Sequence, residues 1–218
     1  LGKFQQVDGN VRVENCARLG IDIARRPTGG RAILHDHEVT FSIIIAERDL
    51  PGAGTNVMES YRALGTALVA GLRQLGLPAE LVDRHSPPRD APATAAGNPA
   101  CFAAKARCDL MVHGSKLIGS AQMRRDGVIL QQNSLPLTVD FPKWDEVFHH
   151  SDWKTVSQGV ATDLWTAAGR EIAYDEVVAA LALGFRDALG AHLMEDALRS
   201  KEQDRAAALQ QEFVVMTT

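Results

Sequence analysis

The strongest local constraint in this chain is a reversal near its middle. Asp109-Leu-Met-Val112 is an apolar run of strand character, His113-Gly114-Ser115 places a glycine in a tight turn, and Leu117 to Met123 runs back out of it. Two such runs around a short turn predict a β-hairpin. The return strand carries Gly119, Ser120, Ala121 and Gln122, and small residues there leave room for something to lie against the backbone. Lys116 opens that strand, and Cys101 stands a little upstream of the hairpin. A thiolate attacks thioesters well near neutral pH, so the stretch suggests acyl chemistry.

The segments around the hairpin predict a sheet followed by helices. Leu1 to Val7 reads as a strand. Val11 to Leu19 reads as a short amphipathic helix with Val13, Cys16 and Leu19 on one face and Gly20 as its stop. Ile21 to Arg25 is extended, and Ala32 to Leu34 and Val39 to Ala46 read as strands around a His35-Asp36-His37 turn. Leu50 to Asn56 is a loop. Val57 to Leu75 is a long helix, with Asn56 as N-cap, Glu59 at the capping-box position and Gly76 as the stop. Ala79 to Val82 is a strand, and His85 to Pro99 is a Pro/Ala/Gly-rich loop directly before Cys101, of a length that is often functional. Val128 to Leu130 and Ser134 to Val139 read as two further strands. Beyond Phe141 the strand signal fades. Tyr174 to Leu189 is a helix with Val177, Ala180, Leu181, Gly184 and Phe185 on its inner stripe, and Leu198 to Phe213 is a more polar one. This order predicts an α+β fold, a mixed and mostly antiparallel sheet with flanking helices, rather than a doubly wound one.

Length and charge narrow the function. With 218 residues, 45% of them hydrophobic, the chain makes one large domain or a domain with a small appendage. The formal net charge of −4 argues against nucleic acid as the main partner, although Arg25, Arg26 and Arg31 form a local basic site. Cys16, Cys101 and Cys108 are too few and too irregular for a disulfide framework and fit a reducing compartment, the cytoplasm. No apolar run approaches membrane-spanning length, and no signal peptide is recognisable. The chain opens on Leu1 in a strand-like pattern, so the natural protein is expected to continue upstream.

Each chemical candidate has an ordinary reading beside it. Gly52-Ala-Gly54-Thr-Asn-Val57 invites a dinucleotide site but has Val where the third glycine belongs, and no P-loop pattern occurs. His35 and His37 could pair on a metal or be solvated turn residues; no further ligands stand at useful spacing, and no metal is expected. Arg25 and Arg26 beside Gly29 and Gly30 could hold a phosphate or carboxylate, or be a solvated charge pair. Cys101 could be a nucleophile or a small buried hydrophobe, and the place of Cys108 near a strand start suggests packing. Lys116 could bind a carbonyl or phosphate oxygen, or be an exposed turn lysine.

The motifs in combination are more specific. Arg25-Arg-Pro-Thr-Gly-Gly-Arg-Ala-Ile-Leu-His-Asp36 resembles the RRxTGGRAVLHD signature of the lipoate–protein ligase A and octanoyltransferase superfamily. Gly114-Ser-Lys-Leu-Ile-Gly-Ser-Ala-Gln122 resembles its GRKVAGSAQ signature, and Val128-Ile-Leu-Gln-Gln-Asn-Ser134 its GVILQHGS segment. The resemblance runs through most of the chain. It implies the biotin/lipoate ligase fold, related to the class II aminoacyl-tRNA synthetase core, with residues 1–140 as the main part of the catalytic domain, an upstream segment missing, and residues 141–218 as a helical C-terminal part of the same domain.

Cys101-Phe-Ala-Ala-Lys-Ala-Arg-Cys-Asp-Leu110 is similar without gaps to CFDAPSWYEL of the LipM type of octanoyltransferase, whose first residue is the nucleophile. The resemblance therefore implies octanoyl transfer from acyl carrier protein through Cys101 to a lysine of a lipoyl domain, in an E2 subunit or the glycine cleavage H protein, with no cofactor. It assigns Lys116 to the carbonyl oxygen, and Arg25, Arg26, Gly29, Gly30, Arg31, His35, Gly119, Ser120, Ala121 and Gln122 to the acyl or lipoyl site, His35 as base or orienting group. Two alternatives stay open: an ATP- and Mg2+-dependent lipoate–protein ligase, and a non-catalytic homologue that binds the same protein partners. The chain departs from the patterns at Ala103, Lys105, Ala106, Ser115, Ile118, Gln132 and Asn133, and Ile118 is expected to add bulk beside the acyl pocket.

Overall fold

A computed structural model describes residues 1–52, 56–83, 108–149 and 161–216. The predicted loop from His85 to Pro99 and the nucleophile candidate Cys101 lie outside the described residues, as does Gly54.

The hairpin forms as the turn chemistry demands. Strands β4 (Cys108–Val112) and β5 (Ser115–Arg125) join through His113 and Gly114 at φ of 50° and 77°. β5 and β6 (Val128–Pro136) join through Asp126 and Gly127 at 52° and 74°. Positive φ at both central residues matches the twist of antiparallel strands. β2 (Glu38–Ala46) and β3 (Ala79–Asp83) complete a five-stranded antiparallel sheet in the order β2-β6-β5-β4-β3. Strand β6 is continuous where two short strands were expected, because Gln131, Gln132 and Asn133 pair with β2 and β5 although their side chains are polar.

The helices cover one side of the sheet. The expected Asn56 cap is present: its side chain accepts from the Glu59 N–H at 3.0 Å at the start of α2 (Val57–Gln74), and Gly76 follows the last turn at φ of 80°. Leu68, Leu72, Leu110, Val112 and Ile118 form the main core with Val177 and Leu181 of a later helix, Tyr174–Leu189. That helix crosses α2 at two glycines. A Cβ on Gly184 would stand 2.3 Å from the Ala67 carbonyl oxygen and 2.3 Å from the Gly71 nitrogen, so the backbones touch.

A second, smaller assembly stands on the other side. Helix α1 (Val13–Arg18) is present with Cys16 inward, and α3 (Phe141–Val147) packs against it through Trp144, Val147 and Phe148. α4 (Leu164–Ala168) precedes α5, the helix Tyr174–Leu189 just described. α6 (Ser200–Phe213) leads into β7 (Val214–Met216), which pairs antiparallel with β1 (Ile23–Ala24). Strand structure thus returns after Phe141, contrary to expectation, because three residues carry too little pattern to register.

Two other expectations fail. Leu1 to Val7 is not a strand: Gln5 N–H bonds back to the Gly2 carbonyl in a turn, and Phe4 is 81% exposed. Ala32 to Leu34 reduces to a bridge at Ala32, because this segment enters the smaller core rather than a sheet.

The crossing yields a test. Gly184→Ala drives a methyl into α2 backbone and should destabilise by about 1–3 kcal/mol or more. Gly65→Ala meets only the movable Leu81 side chain at 2.7 Å and should cost less. Thermal melts of the two variants check the order.

Candidate active site

Pairing sorts the predicted residues between two faces. Residues directly opposite in an antiparallel pair share a face. Gly119 stands opposite Ser134, which stands opposite Thr40, and Ala121 stands opposite Gln132, which stands opposite Ser42. These rows lie on the face away from α2, and Thr40 and Ser42 on it are exposed. Thr28 Oγ1 donates to Gln132 Oε1 at 2.7 Å, which seats the Pro27-Thr28-Gly29-Gly30 loop over this surface. Gly119, Ala121 and the glycine-rich loop are therefore brought together.

Ser120 and Gln122 point the other way. Ser120 Oγ lies 2.8 Å from Asn133 Oδ1, Gln131 Nε2 donates to the same oxygen at 2.8 Å, and Gln122 Nε2 donates to Gln131 Oε1 at 2.7 Å. Ser60 of α2 continues the chain to Gln122 at 2.9 Å. These side chains form a polar layer beneath the helix, not part of the loop-covered surface.

The arginines serve the loop itself. Arg25 reaches the carbonyls of Gly2 and Gln5. Arg26 donates to Thr28 Oγ1 at 3.0 Å and to the carbonyls of Gly29 and Arg31 at 2.8 Å each. Both thus hold backbone carbonyls of their surroundings. Gly30 has φ of 91° and carries its carbonyl against Gly2, where a Cβ would stand 2.0 Å from that oxygen. A cavity of about 810 Å3 opens beside the loop, lined by Arg25, Arg26, His35 and Gln132 at its polar side and by Ile23, Ala32, Leu34 and Phe148 at its apolar side.

Lys116 is not a turn lysine. It is 6% exposed and its Nζ lies 2.8 Å from Asp109 Oδ1, itself 2% exposed. A buried pair of this kind tolerates the loss of neither partner, because the remaining charge stays desolvated. A small cavity beside it is lined by Ile118, Ser120, Gln131 and by Tyr61 and Gly65 of α2. A register shift between Leu110 and Met111 lets Leu110 face Ile118 and Met111 face Lys116. Ile118 is 2% exposed within the main core, so its bulk is accommodated there and does not line the large cavity.

Sequence reasoning missed Asp109 and Glu38. Glu38 Oε1 lies 2.5 Å from His35 Nδ1, Ser134 Oγ donates to Oε2 at 2.6 Å, and Thr40 also donates to Oε1. Burial would push its carboxyl up, but these hydrogen bonds and the neighbouring imidazole bring it below the usual carboxylate range. His37 points elsewhere, 4.0 Å from Asp36, which pairs with Lys143 at 2.9 Å. Among the described residues no three His, Cys, Asp or Glu side chains converge as a metal site would require. The contacts to His35 and across to Ser134 identify Glu38.

The chain is similar to known proteins over most of its length. The profile of the lipoyl protein ligase A/B catalytic domain family matches residues 1–186. The octanoyltransferase LipM of Kyrpidia tusciae is 37% identical over 223 residues, covering 98% of this chain and 80% of the relative. That of Symbiobacterium thermophilum is 37% identical over 215 residues, covering 96% and 77%. A lipoate protein ligase of T. acidophilum with bound lipoic acid superposes with a TM-score of 0.74 at 25% identity, covering 97% of this chain and 76% of that one. A lipoate–protein ligase A bound with ATP gives a TM-score of 0.75 at 25% identity, with 97% and 76% covered.

The Glu38 contacts predict a pH dependence. A carboxyl whose folded pKa is depressed contributes stability that is full above its unfolded value, about 4.3, and is lost as pH falls through the folded value. The stability gap between wild type and Glu38→Gln should therefore hold steady down to about pH 5 and close below about pH 4. Urea unfolding midpoints across that range measure it.

Proposed function

The chain belongs to the lipoyl protein ligase A/B catalytic domain family, and from that membership we propose that it is an octanoyltransferase of protein lipoylation. The single observation carrying this reading is the 37% identity to octanoyltransferase LipM over 98% of the chain. Cys101, which opens the segment similar to the LipM nucleophile region, takes octanoate from acyl carrier protein as a thioester. A lysine of a lipoyl domain then takes the acyl group as an amide. Exchange between thioesters is nearly balanced and amide formation is downhill, so the sequence needs neither ATP nor a cofactor. Covalent catalysis splits one transfer into two easier ones.

Lys116 supplies a positive charge for the oxygen of the tetrahedral intermediate, and Asp109 holds its ammonium in position. Burial of this pair supports the role, since an ion pair at a hairpin start needs no burial for folding. The acyl chain lies between the floor of Gly119 and Ala121 and the loop bearing Gly29 and Gly30, with the apolar side of the large cavity beyond. No helix among the described residues is long and apolar enough to cross a membrane, and the proposed work is cytoplasmic.

The likeness to a lipoate–protein ligase A bound with ATP supports a second reading, activation of lipoate with ATP and Mg2+. Lipoate-dependent exchange of pyrophosphate into ATP would establish it in place of the first.

The acyl-enzyme is the direct test. Incubation with octanoyl-acyl carrier protein should add one octanoyl group by intact-mass analysis. Cys101→Ala should abolish the adduct and Cys108→Ala retain it; an adduct that survives Cys101→Ala would sink the assignment. Lys116→Ala should slow single-turnover acylation by about 10²–10³, the range for loss of one oxyanion donor. A rate equal to wild type would remove Lys116 from the chemistry.

A further inference from the structure

The two edges of the five-stranded sheet are built differently. β3 is 5 residues long and carries Glu80 and Asp83. Short, charged edges resist pairing with other chains. β2, the opposite edge, is 9 residues long and pairs with β6 without a register shift. From Val39 to Ala46 it has no charged residue and no proline, and Ile43, Ile44 and Ile45 stand in a row. Its one charge, Glu38, is turned inward to His35 and Ser134, with a side chain 6% exposed.

The ladder determines which backbone groups of β2 face out. The Leu137 N–H bonds to the His37 carbonyl and the Glu47 N–H to the Gly127 carbonyl, just beyond either end of the β2–β6 pairing. Bonded positions alternate along an antiparallel strand, so Val39, Phe41, Ile43 and Ile45 direct N–H and C=O to β6. Glu38, Thr40, Ser42, Ile44 and Ala46 direct theirs to the outer edge, where no strand pairs with them among the described residues. Thr40 and Ser42 are exposed, and Ile44 is 72% exposed.

An edge of this kind is a template for a further strand. We propose that this strand is β2 of a second copy of the chain, antiparallel across a two-fold axis at Ser42, so that two sheets join into one. This register pairs the strand over its whole length. It sets Ser42 against Ser42, Ile44 against Thr40 and Ala46 against Glu38 of the copy, all of them positions whose backbone groups point outward. No like charges meet, and each Ile44 lies against a β-branched threonine on the same face, a favourable cross-strand pair. The contact is isologous, so it closes at two copies and leaves the short, charged β3 at both ends of the joined sheet. Lysine, proline or a bulge in β2 would guard a solitary edge but would oppose this mate, and β2 has none of them. Self-association of this kind does not involve the acyl transfer proposed above.

Light scattering of the eluting full chain measures the association. Its apparent mass should rise from one chain toward two as concentration increases from about 1 to about 100 μM, the range of a small, transient interface. Ser42→Pro removes an N–H that β6 does not use, so the strand is retained while the seam is broken. Ile44→Lys places a charge on the edge. Each should weaken the dimer at least about tenfold, with thermal melts close to wild type. Ser42→Cys should form a disulfide between copies on mild oxidation, since bonded partners stand about 5.5 Å apart between Cα atoms. Thr66→Cys, exposed on α2, should not. A wild type that stays monomeric at about 100 μM would overturn the proposal, as would a dimer that survives both edge variants or cross-links equally through position 66. A monomeric wild type that instead binds a lipoyl domain through this edge, and loses it in Ser42→Pro, would give the edge to another protein and overturn the self-association.

Discussion

Gln122 and Gln131, and Ser120 and Asn133, meet side chain to side chain across β5 and β6, and the rest of the site depends on that register. A strand exposes alternate residues to opposite faces, so a slip by one position would exchange them all. Gly119 and Ala121 would then turn under α2, and the amides would turn toward the glycine-rich loop. The buried layer of amides and hydroxyls penalises this slip, because a displaced member would leave polar groups unsatisfied away from water. The same register sets Ser134 beside Glu38 and Gln132 beside Thr28. One set of side-chain contacts beneath the helix thus determines what stands on the other side of the sheet.

Charge is placed on the same logic. The Lys116–Asp109 pair is buried at the opposite end of the sheet from the β5–β6 turn, and the small displacement in the β4–β5 pairing gives the lysine its place. At the glycine-rich loop the two arginines are engaged with backbone carbonyls. Among the positive groups named by the family motifs, Arg25 and Arg26 thus bond to backbone carbonyls, whereas Lys116 is buried against a carboxylate.

The elements legible from residues alone were those with strong local chemistry. The hairpin turn, the Asn56 cap, the Tyr174–Leu189 helix and the Val39–Ala46 strand all follow from patterns within a few residues of one another. Strand β6 was split in reading because its middle is polar, and its pairing comes from neighbours distant in the chain. β1 falls within the stretch from Ile21 to Arg25 that reads as extended, whereas β7 is too short to show a period. At the site, the family motifs named the loop, the small residues and Lys116, but not which face each serves. Asp109 and Glu38 escaped because an acidic residue in a strand looks the same whether solvated or paired; only the contacts at Lys116 and His35 tell the two apart.

The pairing of β1 with β7 has a consequence for how the protein is made. Ile23 stands against Met216, and the Arg25 N–H bonds to the Phe213 carbonyl at 2.7 Å, so the segment leading into the arginine–glycine loop is closed by residues translated long after it. Contacts between such distant parts of a chain form late, since the intervening segments must first be gathered. While the ribosome is still extending the chain toward residue 214, the hairpin sheet and α2 can already pack, but the loop lacks its last partner. The setting of the loop is thus completed only after β7 has emerged, and a nascent chain stalled in α6 would carry the five-stranded sheet but leave β1 without its partner strand.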